Sequence, residues 1–252
     1  MELIRNPIGL LVLAAAFVPL ERLWPLRKAP VLRAGWRTDV AHFFVSHTLQ
    51  QFALVLCIGL IVSVVDPFAA SVVQRQPAML QVLEALLLVE LIGYGMHRAF
   101  HAVPVLWRIH AVHHSSEQLD WLASLRVHPL DQTLTRSAQF LVLTVLGFPV
   151  TVFGAATVLL GLWAIFLHAN VRLRFGVLEG FIATPAFHHW HHARDARGNY
   201  AGLFPWVDSM FGTNITTPQW PAEAGTDDAP PEGYWAHLLL RKSTGRSRGA
   251  DA

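Results

Sequence analysis

Three short histidine-rich motifs give this sequence its most distinctive chemistry: HRAFH at 97–101, HAVHH at 110–114 and HHWHH at 188–192. Residues three and four apart lie on one face of an α-helix, so each motif can present its imidazoles in a single direction. With 14 histidines in 252 residues, the pattern HxxHH would occur by chance only ~0.04 times in such a chain, yet it occurs twice. The spacing therefore predicts a metal site rather than separate buried histidines.

The number and type of these ligands predict two metal ions. The single cysteine, Cys57, lies in an apolar run and is expected to be a small buried side chain, so no thiolate is available. Imidazole alone suits iron, zinc, copper or nickel, and the motif histidines outnumber the three or four protein ligands that one zinc ion takes. Iron can reduce O2 whereas zinc has no redox chemistry, but ligand type leaves both metals open.

The order of the motifs resembles a known family. HRAFHAVPVLWRIHAVHHSSEQLDWLASLRVHPLD at 97–131 is similar to the HRxxH, LWxxHxxHHS and RxHP core of the fatty acid hydroxylase and sterol desaturase superfamily. FLHAN, TPAFHHWHHARD, GNY and WVDSMFGT follow in that family's order, and the resemblance covers about residues 86–215. It implies a histidine-ligated membrane di-iron oxygenase.

Carried over position by position, the resemblance implies ten ligands of a di-iron centre: His97, His101, His110, His113, His114, His128, His168, His188, His191 and His192. His128 precedes a proline and could instead cap a helix or support a ligand. No catalytic residue separate from the metal centre is expected. The remaining histidines, at 42, 47, 189 and 237, are not expected to bind metal.

Five further residues are expected to support the ligands through hydrogen bonds. Glu90 and Tyr94 are spaced by four and three residues on a helical stripe that continues to His97. A carboxylate at membrane depth is costly without a partner, so Glu90 is expected either to accept a hydrogen bond from a ligand imidazole or to pair with an arginine. The others match family motif positions: Asn170, Asn199 and Asp208.

Composition predicts an all-α integral membrane bundle. The chain is 53% hydrophobic and 14% charged, far below the roughly 25% charged residues of soluble domains. Apolar runs at 8–20, 41–65 and 79–97, followed by a helical hairpin at 137–168 that turns near Gly147–Pro149, predict about four to five spans. We expect one domain over residues 1–240 with a histidine-rich helical cap, and a basic disordered tail at 241–252.

The distribution of lysine and arginine predicts a cytoplasmic cap and C-terminus. Five basic residues lie in 21–38 and four in 98–137, against Arg75 alone in the loop between the second and third runs. The sequence has no dinucleotide-binding glycine motif and no cysteine set for an iron–sulfur cluster, so a separate electron donor such as a ferredoxin or a cytochrome b5-like protein is expected. Nucleic-acid binding is not expected.

The resemblance implies O2-dependent hydroxylation or desaturation of a lipid drawn from the bilayer. The candidate substrates are a sterol, a fatty acyl chain, an alkyl ether lipid and a carotenoid, and the sequence does not choose among them. A zinc-binding structural membrane protein without oxidase activity is the alternative, because imidazole cages also accept zinc.

Overall fold

A computed structural model describes residues 7–67, 70–194 and 196–242, and within these ranges the chain is helical, with no strands beyond two isolated bridges. Most of the predicted basic tail, residues 243–252, lies outside the described residues. The helices are α1 (Pro7–Leu23), α2 (Trp36–Ala41), α3 (His47–Val64), α4 (Ala70–Val73), α5 (Ala78–Ala102), α6 (Pro104–His110), α7 (Pro129–Leu146), α8 (Val150–His168), α9 (Pro185–His191), α10 (Pro205–Phe211) and α11 (Tyr234–Leu238).

Three of these helices are long and apolar enough to cross a membrane, which confirms the predicted all-α membrane fold. They are the continuous helix Trp36–Val64, in which a π-helical turn at His42–Ser46 joins α2 to α3, then α5, and then α8. The expected four to five spans also counted α1, which has 17 described residues, and α7, whose first turns are polar. Large apolar side chains such as Leu56 and Phe52, 74% and 70% exposed, cover the outside of α3 and suit contact with lipid.

The hairpin predicted for 137–168 has its turn at Gly147–Pro149, as the sequence indicated. Gly147 ends α7 in the left-handed region, at φ 85°, and its N–H and that of Phe148 donate to carbonyls in the last turn of α7. Pro149 then precedes α8. The first arm begins earlier than predicted, at Pro129, because the helix also includes the polar residues before the apolar run; proline is accepted in its first turn, where a missing N–H costs nothing. Both arms pack against α5, and α7 also packs against α3.

A buried ion network fixes the segment between α6 and α7, which contains two short 3-10 helices. Asp39 accepts from Arg33 Nη2 at 2.7 Å and from Arg126 Nε at 2.6 Å, and Arg33 also bonds Asp120 at 2.8 Å. These side chains are almost fully buried, so each charge depends on its partners. The network therefore joins the N-terminal region to the segment that carries the second histidine motif.

Candidate metal centre

The structure brings nine of the ten predicted ligand histidines together in two clusters. The first cluster consists of His97, His101, His110, His114 and His191. The second cluster consists of His113, His168, His188 and His192. Within each cluster, one nitrogen from every imidazole lies within 4.8 Å of the others, so each could hold one metal ion.

Both clusters draw on the same two motifs. His110 and His114 face the first cluster while His113 faces the second, and His191 and His192 divide in the same way. Neighbouring residues on a helix point about 100° apart, so a short segment can serve two sites only if these lie side by side. The stacked rings of His114 and His192, with centroids 4.3 Å apart, show that the two clusters adjoin.

Hydrogen bonds from the outer ring nitrogens fix the orientation of five of these imidazoles. Every partner is an acceptor, so each Nδ1 must carry the proton and leave the Nε2 lone pair facing the cluster. The acceptors are the Tyr200 carbonyl for His97 (2.7 Å), Asp131 Oδ2 for His110 (2.6 Å), the Arg126 carbonyl for His113 (3.1 Å), the Ala164 carbonyl for His168 (2.7 Å) and the Gly198 carbonyl for His191 (2.9 Å).

The inward nitrogens fit a metal ion. The Nε2 atoms of His101, His114 and His191 are buried and have no hydrogen-bond partner among the described residues. His97 and His110 bring their Nε2 atoms to 3.0 Å, and His168 Nε2 lies 3.1–3.2 Å from those of His113, His188 and His192. Two imidazole nitrogens bound at right angles to one ion, at roughly 2.1 Å each, lie about 3.0 Å apart.

Burial keeps these imidazoles neutral. Desolvation, reinforced by neighbouring histidines, holds the pKa of His114 and His191 well below the usual value for histidine. The same causes lower the pKa of His188 and His192. Because a histidine must be deprotonated to bind a metal, the lone pairs of these residues are available at neutral pH.

Glu90 and Tyr94 support the chain around the clusters rather than a ligand directly. Glu90 Oε1 accepts from the backbone N–H groups of Leu203 and Phe204, at 2.9 and 3.1 Å, so its partner is neither an imidazole nor an arginine. The Tyr94 hydroxyl lies 2.9 Å from Thr213 Oγ1. Both residues hold α5 against the 200–213 segment.

Asp208 and Asn199 shape the loop whose carbonyls face the first cluster. Asp208 accepts from the N–H groups of Tyr200 and Ala201, at 2.9 and 2.8 Å. Asn199, with a left-handed φ of 56°, donates to the Phe187 carbonyl at 2.9 Å. Together they fix the carbonyls of Gly198 and Tyr200, which accept hydrogen bonds from His191 and His97.

Asn170 fastens the N-terminal region to the end of α8. Its side chain accepts from the Arg27 N–H at 3.0 Å and donates to the Arg27 carbonyl at 2.8 Å. Pro25 and Val171 form a bridge beside it. This contact lies two residues beyond His168, so it supports that histidine through the backbone.

The tenth predicted ligand, His128, lies outside both clusters. Its Nδ1 accepts from the Leu130 N–H at 3.2 Å, which caps α7, and its Nε2 lies 3.1 Å from the Leu238 carbonyl. The histidines that were not expected to bind metal are also absent from the clusters. His189, for example, points its Nε2 at the Ala169 carbonyl, 3.1 Å away.

Asp131 was not singled out from the sequence, yet it supplies the carboxylate that bonds a clustered imidazole. Asp131 is the last residue of the RVHPLD motif, so the sequence could have drawn attention to it. Its partner His110, however, is 21 residues away in the chain. Burial raises the pKa of Asp131 to about 6. Only the packing of α6 against α7 shows that the two residues meet.

A cavity of about 340 Å³ reaches both clusters from between the long helices. Its walls come mainly from α3, α5, α7 and α8, and are largely apolar. Five clustered histidines face it: His97, His110, His113, His168 and His188. A hydrophobic molecule in this cavity would therefore lie against the candidate metal centre.

Comparisons with known proteins agree with the geometry. The family described as fatty acid hydroxylase matches residues 82–213. Ornithine lipid hydroxylase OlsE of Rhizobium tropici is 29% identical over 227 residues, which cover 85% of this chain and 66% of that protein. Human alkylglycerol monooxygenase is 33% identical over 48% of this chain and 27% of its own length.

Rat methylsterol monooxygenase 1 is 28% identical over 48% of this chain and 42% of its own length. The chain thus spans just under two thirds of the first relative and less than half of the other two. No solved structure matches the chain.

Proposed function

The chain belongs to the fatty acid hydroxylase family, and on that premise we propose that it is a membrane-bound di-iron enzyme that uses O2 to hydroxylate or desaturate a lipid. One observation carries the proposal: two adjoining all-imidazole clusters face an apolar cavity between membrane-type helices. The names of the relatives support it, since they describe oxidation of an ornithine lipid, an alkylglycerol and a methylsterol, all of them lipids.

The protein's part in the proposed reaction is to bind and orient. A bound pair of irons would supply the redox chemistry that activates O2 against a C–H bond. The nine clustered histidines would hold that pair, and the acceptors at their Nδ1 atoms would keep each ring in place. The cavity would hold an alkyl or ring system against the centre and keep water out.

A separate protein is proposed as the electron donor, because oxidation by O2 consumes reducing equivalents and the sequence offers no site for a nicotinamide cofactor or an iron–sulfur cluster. A ferredoxin or a cytochrome b5-like protein would serve. The proposed meeting place is the cytoplasmic side, because the excess of lysine and arginine predicts that the histidine region faces the cytoplasm.

The proposal is tested by comparing the lipids of cells that express the wild-type protein, His113→Ala or the control His189→Gln. His113 belongs to the second cluster, whereas His189 lies in the same type of motif but outside both clusters. Wild type and His189→Gln should accumulate lipids that differ from their precursors by one added oxygen or two lost hydrogens, and His113→Ala should not.

Metal analysis of the purified proteins completes the test. Iron in the wild type, with O2 consumed in the presence of a reductant and lipid extract, supports the proposal. Zinc in both clusters, with an unchanged lipid profile, would instead identify a structural zinc protein.

A further inference from the structure

An arginine lines the wall of the cavity that reaches the two histidine clusters. Arg136 lies on α7, two turns from the helix start, and faces the same space as His97, His110 and His168. A guanidinium among apolar helices is expensive to bury, and in membrane proteins such a residue is retained because it has a polar task. Arg136 lies outside the motifs from which the sequence predicted a site.

The protein satisfies little of the hydrogen-bonding capacity of Arg136. Its Nη1 donates to Gln139 Oε1 at 3.1 Å, which is its only hydrogen bond among the described residues, although a guanidinium has five N–H donors. Gln139 is itself fixed, because its amide donates to the Val89 carbonyl at 2.8 Å. Arg136 is therefore held in position with donors to spare.

No carboxylate of the described chain forms an ion pair with Arg136. The two acids that line the cavity have other partners. Asp131 accepts from His110 at 2.6 Å, and Glu90 accepts from the backbone of Leu203 at 2.9 Å. Asp131, five residues earlier on α7, interacts with the charge of Arg136 without forming an ion pair with it, so no carboxylate of the described chain contacts the guanidinium directly.

Other polar side chains line the same cavity as the arginine. Gln132 and Thr135 of α7 and Gln50 and Gln51 of α3 line the same cavity, whereas the wall from α8 is mostly apolar. The cavity therefore offers polar groups from α3 and α7 to a charged oxygen group, and an apolar wall from α8 to hydrocarbon.

We propose that Arg136 binds the oxyanion of an acidic lipid, a carboxylate or a phosphate, and so holds that lipid against the two histidine clusters. This inference rests on the proposed function and narrows its substrate class from lipids in general to lipids that carry a negative group. A guanidinium suits either oxyanion because two of its N–H groups can bond two oxygens at once.

The experiment measures binding to the purified full-length protein in detergent, a readout that does not depend on turnover. The probes share one 18-carbon chain: a fatty acid, its methyl ester, its alcohol, and a lysophosphatidic acid. The proteins are wild type, Arg136→Gln, Arg136→Lys and the control Arg75→Gln, which changes an exposed arginine outside the cavity.

Wild type and Arg75→Gln should bind the acidic probes at least tenfold more tightly than the ester and the alcohol. Arg136→Gln should remove that preference without weakening ester binding, and Arg136→Lys should keep part of it. A preference for the fatty acid or for the lysophosphatidic acid alone would identify the oxyanion. Equal binding of charged and neutral probes by the wild type would overturn the proposal, even if Arg136→Gln fails to fold.

The two proposals can fail separately. Acid-selective binding by a protein that oxidises no lipid would support the role of Arg136 while contradicting the enzyme. Oxidation of neutral lipids with full activity in Arg136→Gln would contradict the role of Arg136 and leave the enzyme proposal in place.

Discussion

The tautomer of each clustered histidine determines which ring nitrogen can meet a metal. Carbonyl and carboxylate acceptors hold the proton on Nδ1 in five of the nine, and burial keeps the rings uncharged. The result is a set of neutral donors that converge from separate segments of the chain.

Removing one ligand from each cluster should affect a different metal ion. His101→Ala changes the first cluster and His188→Ala the second, so each should lower the iron content from two ions per chain to about one. The double variant should bind almost none. Plasma emission spectroscopy on purified protein measures the stoichiometry, with His189→Gln as the control that keeps both ions. Two ions retained in His101→Ala would contradict the assignment of that ligand.

Changing Asp131 should weaken metal binding without removing a ligand. Asp131→Asn replaces the carboxylate that orients His110 with a neutral amide, and the loss of such a partner typically lowers metal affinity about 10- to 100-fold. Competition with a chelator measures this affinity. The control is Asp66→Asn, an exposed site beyond α3. An unchanged affinity would show that the His110 ring is oriented by packing alone.

The elements of the site are short segments held by backbone contacts. The 198–201 loop illustrates this, because the carbonyls of Tyr200 and Gly198 accept from His97 and His191. Asp208 accepts from the N–H of Tyr200, and the Asn199 side chain donates to the carbonyl of Phe187 in α9. The loop passes close to the chain that follows α10, where Asn199 N–H donates to the Thr213 carbonyl at 2.9 Å. Such a close approach requires glycine at 198.

Gly198→Ala should displace this loop. A Cβ at residue 198 would lie 2.3 Å from the Thr213 carbonyl oxygen, and backbone cannot move aside as a flexible side chain does. We expect a loss of about 1–3 kcal/mol in the free energy of unfolding, seen as a lower Tm, with faster loss of iron to a chelator. Gly180→Ala, where a Cβ meets open space, is the control. Equal Tm values for the two variants would contradict the expected clash.

At the scale of the whole molecule, the N-terminal region belongs to the same unit as the histidine clusters. It lies before the family match that begins at residue 82, yet Arg33 and Asp39 bind Asp120 and Arg126. The Arg126 carbonyl in turn accepts from His113. The first 80 residues therefore stabilise the site as well as contributing a membrane helix.

Asp39→Asn should destabilise the whole fold. It removes the carboxylate that Arg33 and Arg126 share, which leaves Arg33 with Asp120 alone and Arg126 with the exposed Glu232 alone, and breaking a buried ion pair on one side costs about 3–5 kcal/mol. Thermal unfolding in detergent should show a clearly lower Tm than for wild type or for the exposed control Asp66→Asn. A Tm within error of wild type would mean that water or another group neutralises the arginines.

The predicted orientation places the histidine clusters on the cytoplasmic side. Cys57→Ser removes the one native thiol, after which Arg75→Cys and Arg197→Cys introduce exposed reporters on the two expected sides. A membrane-impermeant maleimide applied to intact cells should label the protein carrying Arg75→Cys and spare the one carrying Arg197→Cys until the membrane is permeabilised. The reverse pattern would place the clusters outside the cell.

The sequence by itself determined the class of fold and indicated most of the histidines that the structure brings together. Hydropathy indicated membrane helices because lipid requires long apolar runs, and the turn at Gly147–Pro149 could be predicted because these residues act locally. The three motifs supplied eight of the clustered imidazoles, but only their i, i+4 pairs share a cluster, because the i, i+3 pairs His110–His113 and His188–His191 divide between the two. With His168 from the family resemblance, this accounts for all nine histidines of the clusters.

Tertiary structure alone decided how those residues combine. The division of the nine between two clusters, the contact of Asp131 with His110 and the position of Arg136 in the cavity depend on how distant helices pack. His128 had two possible roles in the sequence, and its contact with Leu238 shows that it lies apart. Spacing along the chain determines direction on one helix, whereas contact across helices depends on packing that no local pattern records.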